Sequence, residues 1–442
     1  MVKRMLLSLL LFSFLFTATI QAGGFQINEH GAKAMAMAGA FTGLANDPSA
    51  VYFNPAGITQ LKGTQFMGGV AFIAPSNEFE GPNPSSPLQT QSTWEMESEI
   101  FHPINFFVTH QFSEKVYAGF GLSNPYGLGT EWKDDWAGRY LAHDTELRTF
   151  YFYGVLAYKF SEKFSLSAGL NYAYGDVKIL QVRPNTITNL PANDYKTNLE
   201  GDATGVGFSA GLLFKPTPKF QLGLSYRSEV KFEFEGDASS DPGSFTFNHP
   251  LAGPTTIQYP NGSIEAELRA PQNFAAGVAF MPSDELTLTA DFQWIGWSSY
   301  DSLTVEFKEY IDPSTQQLAR TSNPRVYEDT YILRAGAEYV LSPAFALRGG
   351  VLYDNNPVQD KYLEPTLPDA NRLGLNIGFG YNLTENLTFD FAYLLLLFSE
   401  REITNSVVKN PDPSVTAVNG NFNGTYNASV HLLGLNFIYT LN

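Results

Sequence analysis

The chain of 442 residues is 44% hydrophobic and 14% aromatic but only 16% charged, against about 25% charged in an ordinary soluble protein. Low charge with ample hydrophobicity argues against disorder, and 27 Lys and Arg against 44 Asp and Glu, a formal balance of -17, removes the basic footprint that nucleic acid or anionic lipid requires. Cysteine is absent, which excludes disulfide frameworks, thiolate metal sites and Cys nucleophiles together.

Lys3 and Arg4 precede an uncharged run from Leu6 to Ile20 that exits through Gln21-Ala22-Gly23-Gly24. A charged start, an apolar centre shorter than the roughly 20 residues of a spanning helix and a small-residue exit read as a secretory signal, residues 1–22, cut after Ala22. Gly23 to Gly63 does not alternate. Ala32, Ala34, Ala36, Ala38 and Ala40, interspersed with Met35 and Met37, suit a short helix packed tightly against other protein. Asp47-Pro48 and Asn54-Pro55 each set a capping residue before a proline at a first helical position. Residues 23–63 thus form a compact segment, placed by these features either in the periplasm or inside a lumen.

From residue 64 to 442 the chain alternates with period 2. Phe164, Leu166, Ala168, Leu170, Tyr172 and Tyr174 alternate with Ser165, Ser167, Gly169, Asn171, Ala173 and Gly175. Phe220, Leu222, Leu224, Tyr226, Val230, Phe232 and Phe234 are read on one face, opposite Gln221, Ser225, Arg227, Glu229, Lys231, Glu233 and Glu235. No segment after the signal approaches a spanning helix in length. With 36 Phe, 23 Tyr and 5 Trp, the pattern fits an outer-membrane barrel, in which the apolar face meets lipid, the polar face lines the lumen and aromatics gather at the interfaces. Tight turns at Ser113-Glu114, Ser161-Glu162, Thr217-Pro218, Ser283-Asp284, Ser342-Pro343 and Thr384-Glu385 alternate with long connections such as Pro184 to Lys196, Gly236 to Gly262 and Asn405 to Gly424, the asymmetry of periplasmic turns and extracellular loops. The strands predicted are 64–75, 98–112, 115–126, 144–160, 163–183, 197–215, 218–236, 263–281, 285–308, 326–341, 344–355, 371–383, 386–402 and 426–441. This makes an all-β protein, a 14-stranded antiparallel transmembrane barrel, even-numbered as bacterial barrels are.

Gly24-Phe25-Gln26-Ile27-Asn28-Glu29, then Asn46-Asp47 and Asn54-Pro55-Ala56, resemble the hatch of the FadL family of outer-membrane transporters for long-chain fatty acids and other hydrophobic compounds. The resemblance continues through Asn124-Pro125-Tyr126-Gly127-Leu128-Gly129-Thr130, Trp136-Ala137-Gly138-Arg139-Tyr140, Tyr226-Arg227-Ser228-Glu229-Val230-Lys231, Trp297-Ser298-Ser299-Tyr300, Asp329 with Arg334 and Tyr339, Leu347-Arg348, and Pro368-Asp369 with Arg372. It covers essentially the whole chain after the signal. It implies a helical hatch plugging the lumen, with Phe25, Asn54, Pro55 and Ala56 in gating. Hydrophobic ligands would be taken up by extracellular loops and passed to an internal pocket, and a kink in the third strand at Asn124, Pro125, Tyr126 and Gly127 would open the wall for lateral exit. The residues make that sensible, because Pro125 has no N–H for the ladder and Gly121 and Gly127 lie close by. The plainer reading is that Pro125 ends the strand.

A fatty acid needs an apolar groove and a cationic partner for its carboxylate. Strand parity puts Arg183, Arg227, Arg334, Arg348 and Arg372 on the lumen side. Their structural reading is pairing with acids such as Glu229, Glu328, Glu338 and Asp390; Arg183, Arg227 and Arg334 are the ligand candidates, Arg183 first because no acid adjoins it. Where the resemblance leads one to expect basic residues, the chain has Glu328-Asp329, Asp176 and Gln181, which suits a neutral hydrophobic compound such as an aromatic hydrocarbon. The six histidines show no metal-ligand spacing and no catalytic partner set, and no glycine run forms a phosphate loop. The expectation is a monomeric, non-enzymatic, cofactor-free protein of the outer membrane of a Gram-negative bacterium that takes up hydrophobic molecules, first of all long-chain fatty acids or similar amphiphiles, by passive diffusion through a plugged barrel with lateral exit; a fatty acid or aromatic hydrocarbon and membrane lipid are the partners, with no nucleic acid. The alternatives are an uptake channel for neutral aromatic hydrocarbons, a general aqueous porin and a barrel scaffold for secreted proteins.

Overall fold

The computed structural model describes residues 23–82, 90–185, 187–188, 193–313, 315–410 and 421–441; the expected signal peptide, residues 1–22, lies outside them. Fourteen staves close into one antiparallel barrel. They are β1 (Thr64–Pro82), β2 (Ile104–Gln111), β3 (Val116–Ser123 and Gly127–Glu131), β4 (Asp144–Ser161), β5 (Phe164–Arg183), β6 (Tyr195–Thr217), β7 (Phe220–Arg227 and Val230–Asp241), β8 (Gly262–Ala270 and Asn273–Phe280), β9 (Leu286–Ile295 and Ser302–Ile311), β10 (Leu318–Pro324 and Thr330–Ser342), β11 (Phe345–Asp354), β12 (Arg372–Asn382), β13 (Leu387–Phe398 and Arg401–Ile403) and β14 (Gly424–Leu441). The last stave pairs with the first from Thr64↔Leu441 to Glu80↔Thr425, which closes the cylinder. The tight turns fall where the sequence placed them. At one, Ser113 Oγ accepts from the amides of Lys115 and Val116, a side-chain device that shapes short turns.

Several staves are interrupted, and the interruptions change which face a residue occupies. In β7, Gln221 is buried and Leu222 less so, but Val230, Phe232 and Phe234 are buried to within 5% exposure. Phe220 to Tyr226 face outward and Val230 to Phe234 face inward, so these seven residues do not share one face. Ser228 and Glu229 lie outside the ladder, and a break of this kind re-aims every later side chain. The same inversion occurs in β8 across Pro271-Gln272, below which Phe274 and Phe280 are exposed and above which Ile264 and Leu268 are buried.

The wall consequently has two zones. On the side of the short turns, Phe152, Leu156, Leu170, Tyr172, Phe208, Phe274 and Phe292 are exposed outward, the apolar band that faces lipid. On the side of the long loops the outer face carries charge, with Arg148 bonded to Asp176 and Lys178 to Asp144 at 2.8 Å, while Leu147, Leu199, Phe232, Phe234, Leu268 and Val305 turn inward. The expectation that the polar face lines the lumen along the full height is corrected here. β4 to β10 extend beyond the band into water, and there the apolar face must turn inward.

Residues 23–63 occupy the lumen within the band. A helix α1 (Ala32–Ala36) packs on β12 to β14, α2 (Ala50–Phe53) follows a turn in which Asp47 Oδ1 accepts from the Ser49 amide at 2.8 Å, and a 3-10 helix spans Pro55–Gln60 with Asn54 as its cap. Hydrogen bonds to inward side chains of the wall hold the segment: Ala32 N to Asn436 Oδ1 at 2.7 Å, Thr42 N to Asp291 Oδ2 at 2.7 Å, and Asn376 Nδ2 to Met35 O at 2.6 Å. Such bonds satisfy backbone groups that a packed segment cannot expose to water.

Candidate functional site

Asn54 joins the internal segment to the wall. Its Oδ1 accepts from Ala56 N at 3.2 Å, and its Nδ2 donates to Thr42 O at 2.9 Å and to Leu212 O of β6 at 3.0 Å. The approach requires glycine on the strands: a Cβ at Gly223 would lie 2.0 Å from Thr42 O, and one at Gly211 2.4 Å from Asn54 Oδ1. Pro55 and Ala56 are buried behind it. The geometry brings these three residues to one docking point between β6, β7 and the segment.

The third stave is broken as the proline suggested, and it resumes. Ser123 pairs with Tyr151 and Gly127 with Arg148, so Asn124, Pro125 and Tyr126 stand opposite only Thr149 and Phe150, a bulge with one extra residue. Thr149 stitches it on the β4 side, donating to Tyr126 O at 2.6 Å and receiving Tyr126 N at 3.2 Å. On the β2 side the ladder ends at Phe106↔Leu122; beyond it Ile104 N donates to the Asn124 side chain at 2.9 Å, and backbone pairing resumes with Glu97 N to Glu131 O at 2.8 Å and the Met96↔Trp132 bridge. In the seam between them residues 25–27 act as a short strand: Ile27 N donates to Pro125 O at 2.9 Å and Gly127 N to Phe25 O at 3.0 Å. Ile27 lies against Gly127 and Phe101 against Gly129. Thus a gap in wall pairing exists, and residues 25–27 lie along it.

Phe25 is the centre of an aromatic cluster. Its ring lies 4.7 Å from Trp297, 5.9 Å from Tyr300 and 6.0 Å from Tyr126, all edge-on, the geometry ring quadrupoles prefer. Above it opens a cavity of about 120 Å³ lined mainly by apolar side chains, among them Leu128, Leu147, Val177, Phe234, Leu268 and Leu303. Among the described residues one cation lines it, Arg325, which is buried and ion-paired with Glu364. The long-loop end above is closed by rings: Trp132 stacks on Trp136 at 4.2 Å, Phe79 on Phe422 at 4.7 Å, and Trp132 Nε1 donates to Pro365 O at 3.1 Å.

The arginine candidates are not in that cavity. Arg227 stacks on Tyr52 at 3.8 Å and donates to its carbonyl, while Arg334 donates to Gln293 at 2.7 Å and to Asn28 at 3.1 Å. Both line a smaller space beneath Phe25 beside the internal segment. Arg183 donates to Gln181, and Gln181 rather than Arg183 lines the apolar cavity. Of the acids named as partners for them, Glu338 and Asp390 pair with Arg348, but Glu229 faces outward to Arg269. Asp176 is likewise outward, bonded to Arg148. The Arg325–Glu364 pair was missed, because both residues lie in loops where parity carries no information.

Gly24 N donates to Asp369 Oδ2 at 2.7 Å in the loop joining β11 and β12. Burial pushes the Asp369 carboxyl up to about 6, against the pull of Arg372 and of the Gly24 amide. The Gly24 amide bond itself favours the ionised carboxyl, so losing that bond should raise the Asp369 pKa further.

A barrel with an apolar outer band, residues 23–63 in its lumen and an apolar chamber above them has the architecture of an outer-membrane channel for hydrophobic compounds. The family model described as outer membrane protein transport protein (OMPP1/FadL/TodX) matches residues 13–441, and the chain belongs to that family. It is an outer-membrane protein of Gram-negative bacteria. It is similar to the long-chain fatty acid transport protein of Escherichia coli strain K12, 25% identical over 84% of this chain and 86% of that one. It is also similar to the 47 kDa outer membrane protein of Pasteurella multocida, 27% identical over 84% and 87%. Among solved structures, a Pseudomonas aeruginosa FadL homologue aligns with a TM-score of 0.79 at 21% identity over 95% of this chain and all of that one, and the P. putida toluene transporter TodX with 0.71 at 16% over 94% and 99%.

Proposed function

We propose that the protein admits hydrophobic molecules whose polar end is uncharged within the cavity, such as aromatic hydrocarbons or long-chain alcohols, and releases them sideways through the β2–β3 seam. The observation that carries this is the chamber itself: it is apolar, the one cation that lines it among the described residues is already neutralised by Glu364, and its floor is Phe25. An unpaired carboxylate placed there would suffer desolvation without compensation. Withdrawal of residues 25–27 from Pro125 and Gly127 removes the floor and clears the seam in one movement, so that a lipophile passes into lipid without crossing water. Fatty acids are the second reading, supported by the E. coli relative's function. In that case the acid enters protonated or displaces Glu364 from Arg325.

Uptake tests the reading. Cells lacking the gene and supplied with the intact protein should accumulate radiolabelled toluene faster than oleate relative to the empty strain. Phe25→Ala, which removes the ring meeting Trp297 and Tyr300, should change the toluene rate in either direction while leaving the amount of folded barrel unchanged. Toluene accumulation independent of the protein would end this proposal, and oleate uptake alone would select the second reading.

A further inference from the structure

The wall has a second unladdered stretch. β8 and β9 pair from Asn273↔Ile295 downward and again only at Ala266↔Val305, Glu265↔Glu306 and Ile264↔Phe307. Between these blocks, Glu267 to Pro271 and Trp297 to Thr304 share no ladder among the described residues, and a single bond from Gly296 N to Gln272 O closes the lower edge. Two sequence features cause it. Pro271 cannot donate to β9, and Trp297–Ser299 coils into a 3-10 turn that carries the chain off the strand path.

The stretch lies immediately above the lipid band, since Phe274 and Phe292 below it are exposed outward and Lys231, Arg269 and Glu306 beside it are charged. An outer crevice of about 570 Å³ sits on it. Phe234, Glu235, Ala266, Glu267 and Tyr300 line both this crevice and the apolar chamber, so the two adjoin across this stretch of wall. The third-stave kink and this stretch are mechanically joined: Tyr126 OH donates to Pro271 O at 3.0 Å and accepts from Asn273 Nδ2 at 3.1 Å, and Phe25 touches Tyr126 on one side and Tyr300 on the other. The end of the barrel above, by contrast, is capped by the stacked Trp132, Trp136, Phe79 and Phe422.

We infer that the β8–β9 stretch is a side port through which neutral lipophiles dissolved in the outer leaflet reach the chamber. This rests on the reading of the chamber as a site for hydrophobic compounds. The mouth sets a charge filter. Its lining holds six carboxylates, Glu233, Glu235, Glu265, Glu267, Asp301 and Glu306, against the guanidiniums of Arg269 and Arg320, with Lys231 and Lys308 bridging within the set. The remaining acidic excess repels carboxylate and phosphate heads and passes an alcohol or a hydrocarbon.

The chain has no cysteine, so the port can be closed cleanly. Glu267 and Thr304 both line the crevice and continue the register beyond Ala266↔Val305. The paired substitution Glu267→Cys with Thr304→Cys, in the full-length protein in whole cells, should form a disulfide under oxidation that abolishes uptake of radiolabelled dodecanol, and reduction should restore it. Each single cysteine should behave as the parent under both conditions. Dodecanoate should enter more slowly than dodecanol through the parent protein, and Glu233→Gln with Glu265→Gln should narrow that difference. Undiminished dodecanol uptake with the disulfide fully formed overturns the port while leaving the chamber reading intact. Dodecanol uptake that never depends on the protein overturns the chamber reading and the port together.

Discussion

Replacing Gly223 by valine should turn a nearly silent barrel into one with large, long-lived conductance steps. The position faces the internal segment, and a Cβ there would stand 2.0 Å from the Thr42 carbonyl and 2.7 Å from Asn54 Nδ2. The clash is with backbone, which cannot rotate away. Overpacking of this kind costs about 1–3 kcal/mol, and losing the Asn54 bonds to Thr42 and Leu212 adds about 1 kcal/mol each. About 3 kcal/mol is roughly a hundredfold in the ratio of unseated to seated segment. Valine suits a strand, so the barrel itself should persist, visible as unchanged mobility of the unheated protein on a gel. Gly154→Val is the control, because nothing lies within 4 Å of a Cβ there. Large conductance steps already present in the Gly154 variant would show that residues 23–63 do not block the lumen.

The largest stability effect is expected at Arg348. Its guanidinium bonds Glu338 at 2.6 Å and also Asp390, and Lys33 of α1 reaches the same Glu338 oxygen at 3.3 Å. All four groups are largely buried, with Arg348 and Asp390 side chains 5% and 1% exposed. Arg348→Ala leaves two carboxylates facing one ammonium, and breaking a buried pair in this way costs about 3–5 kcal/mol. Because Lys33 belongs to the internal segment, part of that loss should appear as easier release of α1 and not only as barrel unfolding. Urea unfolding in detergent, followed by tryptophan fluorescence, reads the first; protease access to residues 32–36 reads the second. A change under about 1 kcal/mol would mean that the cluster is wet in solution.

The stave count, the tight turns and the outward positions of β5 were legible, because period 2 is a geometric property of an extended chain. The faces of β7 and β8 were not, since a one-residue break inverts parity and leaves no mark on composition. Ser228-Glu229 looks like any polar pair within a strand, though Pro271 was a signal that could have been used. The break at Asn124 to Gly127 was readable from proline chemistry, and so was the cap at Asn54. What sequence could not show is that Phe25 to Ile27 fill the seam left by that break, because a pairing between residues 25 and 127 has no local signature. The apolar chamber was hidden for a different reason. Its lining is the inward face of strands standing in water, and the sequence reading assigned every apolar face to lipid.

We propose that the space above Phe25 holds a neutral lipophile. Density in a structure of the protein taken from its native membrane without added ligand decides it. An elongated apolar molecule is expected against Leu128, Phe234 and Leu268, with the Arg325–Glu364 pair unbroken. A carboxylate seated on Arg227 or Arg334 beneath Phe25, with the chamber holding only water, would contradict it.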